Sequence, residues 1–327
     1  MSLYCLNIHK EIHTVKKFIS IILFLLGPSL AYSQNLNPNL DQWYLWTEDD
    51  TRLFVAEGGQ GDSIIVIHGG WGAEYSYLVP ALKPLFDQFH FTFYDQRGSL
   101  RSPAPDSTIS LQQFVSDLEQ LRQELGISKV TLLSHSMGSY LSYAYLKEHP
   151  EHVKGLALLG PVLPTGVNRD KKQSADSKFI KFAKANEKRE LKEEGLLEKQ
   201  DLNAKQQTAK WRIGYASGNI YHINRWEQLK GGQAFYNSDI AALINENTTN
   251  GLMDDFLATL KSHSIPMYII IGDHDLVDFG LSTWPEVAGD IPHMNLYKLK
   301  KAGHNSWIDK PERFNYFVQE SLQQITQ

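Results

Sequence analysis

The sequence predicts an α/β fold in which helices flank a mostly parallel central sheet and a helical segment interrupts it. Short β-branched runs alternate with helical patterns along the chain. The run 63–68 is continuously apolar, as in a strand that is buried on both faces of a parallel sheet. A charged stretch without such a run separates two of the β-branched runs, and 327 residues suffice for one domain with an insertion.

The first half of the chain alternates predicted strands with predicted helices. Apolar runs predict strands over 63–68, 90–95, 129–134 and 153–159. Between them, Ser110 and Gln113 have capping-box spacing before an apolar helical stripe that ends at Gly126. A second helix is predicted over 137–149, directly after a strand. Strands joined through helices in this way are typical of parallel neighbours.

The pattern changes after Pro164. The stretch 169–210 is rich in Lys, Glu, Gln and Ala, which is typical of solvated helix faces. Strand patterns return at 266–271 and 294–298, and a helix over 311–323 follows. We therefore expect a core over 34–164 and 263–327, with a helical cap inserted over 165–262.

The N-terminal residues have the features of an export signal. Lys16 and Lys17 precede the apolar run 18–26, which is too short to cross a bilayer. Small residues then precede Gln34, as in a cleavage site. We expect residues 1–33 to be a signal peptide and the mature chain to be exported, periplasmic or secreted, without stable membrane insertion.

Composition narrows the choice of partners. The formal net charge of −5 offers no basic surface for nucleic acid. The single cysteine, Cys5, lies before the predicted cleavage site, so the mature chain has no thiol for a disulfide, a metal or a nucleophile. No metal-binding, P-loop or dinucleotide-binding motif is recognisable. We expect neither cofactor nor metal, and the oligomeric state stays open.

The strongest chemical signal is the stretch SHSMG over 134–138, between a predicted strand and a predicted helix. A nucleophile elbow needs small residues two before and two after the nucleophile because its turn is sharp. Ser134 and Gly138 meet that need, which makes Ser136 the candidate nucleophile. The alternative is a serine that only caps the helix.

A second motif, HGGWG over 68–72, follows the predicted strand 63–68. A loop at this place in an elbow-containing fold supplies one backbone N–H to the oxyanion, and the residue after the nucleophile supplies another. We assign these donors to Gly70 and Met137. His68 is interpreted as a structural residue that holds the loop, and an ordinary glycine-rich turn is the alternative.

The acid and the base are expected later in the chain. Asp273 and Asp275 both follow the strand 266–271, and the G-x-x-D spacing favours Asp275. His304 follows the last predicted strand and would take the proton from Ser136, while the aspartate orients its ring. The order serine, acid, histidine is that of the α/β-hydrolase fold.

The motifs resemble those of the proline iminopeptidase family of α/β-hydrolases. The resemblance rests on HGGWG, on DQRG over 95–98 followed by a nearby serine, and on AGH over 302–304. It implies a serine aminopeptidase that releases N-terminal residues from short peptides through an acyl-enzyme. The expected partner is therefore a small-molecule or short-peptide substrate. Trp226-Glu227 resembles a pair whose glutamate binds the substrate's amino terminus, and Trp71 replaces a proline at the pocket's mouth.

Other interpretations stay open at this stage. The elbow SHSMGS is closer to those of esterases and lipases than to the family's GGSWGS, so a carboxylesterase with the same triad is the main alternative. A ligand-binding protein on a hydrolase scaffold is a third. Glu227 is equally consistent with a solvated helix residue.

Overall fold

The computed structural model describes residues 40–230, 236–248 and 254–327, so the predicted signal peptide lies outside the described residues. Across these residues, eight strands form one sheet. The strands are β1 Asp41–Trp46, β2 Arg52–Gly59, β3 Asp62–Ile67, β4 Phe89–Tyr94, β5 Val130–His135, β6 Val153–Leu159, β7 Met267–Gly272 and β8 Met294–Leu299.

The strand order is β1-β2-β4-β3-β5-β6-β7-β8. Strand β2 runs antiparallel to β1 and β4, and every other neighbouring pair is parallel. The carboxyl ends of β3 to β8 therefore share one edge of the sheet, and the loops that follow them meet there. The predicted α/β class with a mostly parallel sheet is confirmed.

Helices cover both faces of this sheet. Their bounds are α1 Val79–Leu82, α2 Leu111–Glu124, α3 Gly138–Glu148, α4 Asp170–Glu193, α5 Ala204–Asn219, α6 Ile240–Asn247, α7 Phe256–Ser262, α8 Trp284–Gly289, α9 Ser306–Asp309 and α10 Pro311–Thr326. The Ser110 hydroxyl accepts the Gln113 N–H at 3.2 Å and begins α2 where the capping spacing predicted.

The segment between β6 and β7 has two parts. Helices α4 and α5 and the 3₁₀-helix Ile223–Gln228 form a small hydrophobic cluster that includes Leu191, Ile213 and Trp226 and is joined by Ile308 of α9. Helices α6 and α7 instead pack onto the main core through Ile244 and Phe256. Among the described residues of the predicted cap range, the first part thus packs in a cluster distinct from the main core, and the second part packs in the main core.

Strands β1 and β2 were not predicted from the sequence. Strand β1 lies at the edge of the sheet and leaves Tyr44 and Trp46 exposed, so it lacks the continuous burial that makes the central strands recognisable. Both strands pair antiparallel through a short turn, which has no intervening helix to mark it.

Arg97, in the DQRG stretch after β4, is a buried structural residue. Its guanidinium binds Asp117 of α2 at 2.6 and 2.9 Å and Asp49 of the β1–β2 turn at 2.7 Å. Such bidentate contacts favour arginine over lysine. Arg97 therefore ties three elements together beneath the loop that follows β4.

In the described part of the chain, no helix has the length and apolarity to cross a membrane.

Candidate active site

Ser136 occupies a strained turn between β5 and α3. Its φ is 52°, in the left-handed region that non-glycine residues rarely adopt. A Cβ on Gly138 would lie 2.7 Å from the carbonyl oxygens of Ile67 and His68, so only glycine fits there. Ser134 is fully buried at the position of the elbow's usual first glycine. The turn therefore has the geometry that raises a nucleophile above the sheet.

His304 and Asp275 form a buried pair beside this turn. His304 Nδ1 lies 2.9 Å from Asp275 Oδ1, and the same oxygen accepts the Val277 N–H at 2.8 Å. A carboxylate accepts hydrogen bonds, so Nδ1 carries the proton and Nε2 is left to accept one. Asp275 is fully buried, which keeps the pair away from water.

The second candidate acid, Asp273, has a different set of partners. Its Oδ1 accepts the Lys301 N–H at 2.7 Å and lies 2.7 Å from His274 Nδ1. These contacts hold the loop after β7 against the loop after β8. Of the two aspartates, the structure brings Asp275 to His304 and leaves Asp273 at the partly exposed loop surface.

The loop after β3 carries the proposed oxyanion donor Gly70, whose φ is 72°. His68 fixes this loop: its Nε2 accepts the Gln96 N–H at 3.1 Å, and its Nδ1 lies 3.2 Å from the Gly69 carbonyl. Burial lowers the pKa of His68, so the ring stays neutral and structural. Met137 stands at the start of α3, where helix N–H groups lack intrahelical partners.

Gly70, Ser136 and His304 line one cavity of about 1080 Å³. Trp211 and Tyr215 of α5 line the same cavity, and we call these two aromatic residues its roof. A concave site under a partly apolar roof with a few convergent polar groups is the usual form of a small-molecule site.

Comparison with known proteins is consistent with this arrangement. A sequence profile of the alpha/beta hydrolase fold family matches residues 62–311. The proline iminopeptidase of Neisseria gonorrhoeae is 33% identical over 287 residues, which cover 80% of this chain and 89% of that protein. The chain belongs to the proline iminopeptidase-like α/β hydrolases.

Solved structures share the fold of this α/β hydrolase. A proline iminopeptidase-related protein from Thermus thermophilus has a TM-score of 0.64 at 23% identity, covering 88% of this chain and 98% of that one. A thermophilic esterase from Thermogutta terrifontis has a TM-score of 0.62 at 17% identity, covering 87% and 99%. Likeness at these identities concerns the fold alone.

The three side chains predicted to bind substrate in this α/β hydrolase lie elsewhere. Trp71 is buried and packs on Phe114 with ring centroids 5.7 Å apart. Trp226 is buried in the core of α4 and α5, and Glu227 is exposed. None of the three is among the described residues that line the cavity. The two tryptophans bury their apolar rings against neighbouring helices instead.

Gly160, directly after β6, lies beside the His304–Asp275 pair and was not predicted from the sequence. A Cβ there would lie 2.7 Å from Asp275 Oδ2 and 3.0 Å from His304 Nδ1. Its φ of 48° also favours glycine. A glycine that ends a buried strand was the available signal, but its meaning depends on the His304–Asp275 pair.

Proposed function

We propose that this α/β hydrolase is an exported serine aminopeptidase of the proline iminopeptidase type, which releases N-terminal residues from peptides. The serine hydrolase assignment rests on one observation: Ser136 and the His304–Asp275 pair meet at one cavity. The 33% identity to the Neisseria gonorrhoeae proline iminopeptidase supports the aminopeptidase assignment.

Acylation would begin at Ser136. His304 Nε2 takes the Oγ proton as Oγ bonds to the substrate carbonyl carbon, and the carbonyl π electrons move to its oxygen. The N–H groups of Gly70 and Met137 would donate to that oxyanion. The electrons then re-form the carbonyl, the bond to the leaving nitrogen breaks, and His304 returns its proton to that nitrogen. Asp275 stabilises the imidazolium through Nδ1.

Deacylation repeats the sequence with water. His304 takes a proton from water as the water oxygen bonds to the acyl carbon, and the proton returns to Ser136 Oγ when the acyl–oxygen bond breaks. The products are the released residue and a free serine hydroxyl. No proton is gained or lost over the cycle.

A carboxylate within reach is the strongest partner that a side chain can offer to a substrate's charged amino terminus. Among the described residues that line the cavity, Glu74 is the only Asp or Glu, and the internal segments 231–235 and 249–253 contain neither residue. The Glu74 carboxylate already accepts the Ser76 N–H at 2.7 Å and an Arg101 N–H at 3.3 Å. A substrate ammonium would have to share it.

This charge distribution favours a second candidate, a carboxylesterase with the same triad. The aromatic roof of Trp211 and Tyr215 suits an apolar acyl group, and a neutral ester needs no carboxylate in the cavity. The two candidates differ in the substrate's amino group and in the leaving atom, so one substrate panel separates them.

The test uses the chain from Gln34, assayed with prolyl-, alanyl- and N-blocked prolyl-arylamides beside p-nitrophenyl esters. The aminopeptidase proposal predicts cleavage of the free-amine arylamides only, with loss in Ser136→Ala. It also predicts that Glu74→Gln weakens arylamide cleavage far more than Glu227→Gln, the exposed control. Ester cleavage alone, lost in Ser136→Ala, would reject the aminopeptidase in favour of the esterase.

Export is tested separately by N-terminal sequencing of the protein recovered from the periplasm or medium of a bacterial host. The proposal predicts a mature chain that starts at Gln34. Recovery of the uncleaved chain from the cytoplasm alone would reject it.

A further inference from the structure

A short hydrogen-bond chain runs along the cavity wall beside Ser136. The Gly69 N–H donates to Tyr77 Oη at 2.7 Å, and Tyr77 Oη lies 2.7 Å from His135 Nδ1. Gly69 precedes the proposed oxyanion donor Gly70, and His135 precedes Ser136. The chain thus links the loop after β3 to the nucleophile turn.

The direction of these bonds follows from the donors available. Tyr77 Oη accepts the Gly69 N–H, and we assign the one proton of its hydroxyl to His135 Nδ1, the acceptor that lies 2.7 Å away. The His135 proton then sits on Nε2. Burial lowers the pKa of His135 well below its usual value, and the positive charge that the His304 ring can carry acts in the same direction. His135 is therefore a neutral acceptor toward Tyr77.

The His135 ring also contacts the candidate base. Its centroid lies 4.6 Å from that of His304, and Trp307 meets its other side edge-on at 5.0 Å. His135 is 3% exposed although it lines the cavity, so neighbouring side chains hold this contact. One side chain therefore touches both the Tyr77 hydroxyl and the His304 imidazole.

Gly69, in the loop after β3, also lies close to the candidate nucleophile Ser136. A Cβ on Gly69 would lie 2.7 Å from Ser136 Cβ and 2.8 Å from His135 Nδ1. Rotation of the Gly69–Gly70 peptide would therefore move the proposed oxyanion donor relative to Ser136. The Tyr77 hydroxyl is the group that holds the Gly69 N–H.

We propose that Tyr77 and His135 are positioning residues, which hold the loop after β3 and its proposed oxyanion donor Gly70 in place relative to the His304 ring. The inference rests on the proposed function, because it assumes that Ser136, His304 and Gly70 perform the chemistry. Neither residue needs to touch the reacting atoms. Their effect is on the alignment of the oxyanion donor and the base, which are needed in the transition state.

The test measures kcat and KM on whichever substrate the chain cleaves best. Tyr77→Phe keeps the ring and removes the hydroxyl, and we expect kcat to fall about tenfold with KM within about twofold. His135→Asn places an amide oxygen near the Nδ1 position, whereas His135→Leu removes the acceptor. We expect kcat to decrease from wild type to His135→Asn to His135→Leu.

A double-mutant cycle separates coupling from packing. Tyr77→Phe should lower kcat less in the His135→Leu background than in wild type, because one of the two bonds that it removes, the bond to His135 Nδ1, is already broken there. The matched control is Tyr145→Phe, which removes another buried hydroxyl bond, 2.6 Å to Glu119 Oε2, away from the cavity. Its kcat should stay within about twofold of wild type. Thermal unfolding of each variant shows that the chain is folded.

An unchanged kcat in Tyr77→Phe, or fully additive losses in the cycle, would overturn the inference. A rise in KM alone would also reject it, because it would indicate substrate contact rather than positioning. Activity that survives in Ser136→Ala would instead reject the proposed function, so the two failures are distinguishable.

Discussion

Gly160 lies so close to Asp275 that a Cβ at residue 160 would be 2.7 Å from Asp275 Oδ2. The two residues follow neighbouring parallel strands, β6 and β7, whose carboxyl ends adjoin. Asp275 Oδ1 is occupied by His304 and by the Val277 N–H, so the carboxylate has no room to retreat without breaking those bonds. The absence of a side chain at 160 therefore sets the position of the proposed acid.

Gly160→Ala should lower kcat by roughly 10- to 100-fold, because displacement of the acid misaligns His304. Gly126→Ala is the matched control: its φ is 64°, and a Cβ there has no neighbour within 4 Å. Both variants carry the cost of a left-handed backbone, about 1 kcal/mol. Steady-state kinetics with chemical unfolding would separate the two effects, and equal kcat in both variants would contradict the account.

The two aspartates after β7 should differ sharply in function. Asp275→Asn should reduce kcat by about 10³- to 10⁴-fold, since an amide cannot fix the His304 tautomer or stabilise its cation. Asp273→Asn should leave kcat within about threefold of wild type and lower stability modestly, because it weakens bonds to Lys301 and His274. The reverse ranking of kcat would identify Asp273 as the acid.

Trp71 should affect stability rather than substrate binding. Trp71→Phe shrinks a buried ring that packs on Phe114, so we expect the free energy of unfolding to fall by about 1 to 2 kcal/mol with KM within about twofold. Phe114→Leu, on the other side of the contact, should behave similarly. A large change in KM without loss of stability would place the Trp71 ring in the substrate pocket.

Glu119 should make stability depend on pH. Burial opposes its ionisation, but hydrogen bonds from Arg122 and Tyr145 prevail and lower the pKa of Glu119 to about 2. Its carboxylate therefore stabilises the fold fully above the unfolded pKa near 4.5 and loses this effect as pH falls toward 2. Glu119→Gln should cost about 1 to 2 kcal/mol at pH 7.

The measurement is urea unfolding of wild type and Glu119→Gln at pH 7, 5 and 3. The difference in unfolding free energy should be nearly constant from pH 7 to 5 and smaller at pH 3. A difference of the same size at pH 3 would show that the charge of Glu119 does not contribute. Both proteins contain His152, whose Nδ1 lies 3.4 Å from Glu119 Oε2 in the wild-type structure.

The residues of the candidate site that could be predicted from the sequence are those that belong to short local motifs. The elbow around Ser136 and the glycines of the loop after β3 need particular backbone angles, and few residue types permit them. The parallel order of the strands then brings the loops of Asp275 and His304 to the same edge. The G-x-x-D spacing favoured Asp275 over Asp273, and the hydrogen bonds of the two aspartates show which one contacts His304.

The parts that the sequence did not predict depend on packing between distant segments. Whether Trp71 faces the cavity or Phe114 is decided by α2, and whether Glu227 faces the cavity or water is decided by α4 and α5. Gly160 and Tyr77 belong to no local motif, because the role of each depends on its contact with a residue far along the chain. Side-chain direction in loops is a tertiary property.

The most direct test of the central claim maps a covalent inhibitor. The chain from Gln34 is treated with a fluorophosphonate and analysed by peptide mass spectrometry, with Ser136→Ala in parallel. The account predicts one phosphonyl adduct, on the peptide that contains Ser136, and loss of both adduct and hydrolysis in Ser136→Ala. An adduct on another residue, or hydrolysis that survives in Ser136→Ala, would contradict it.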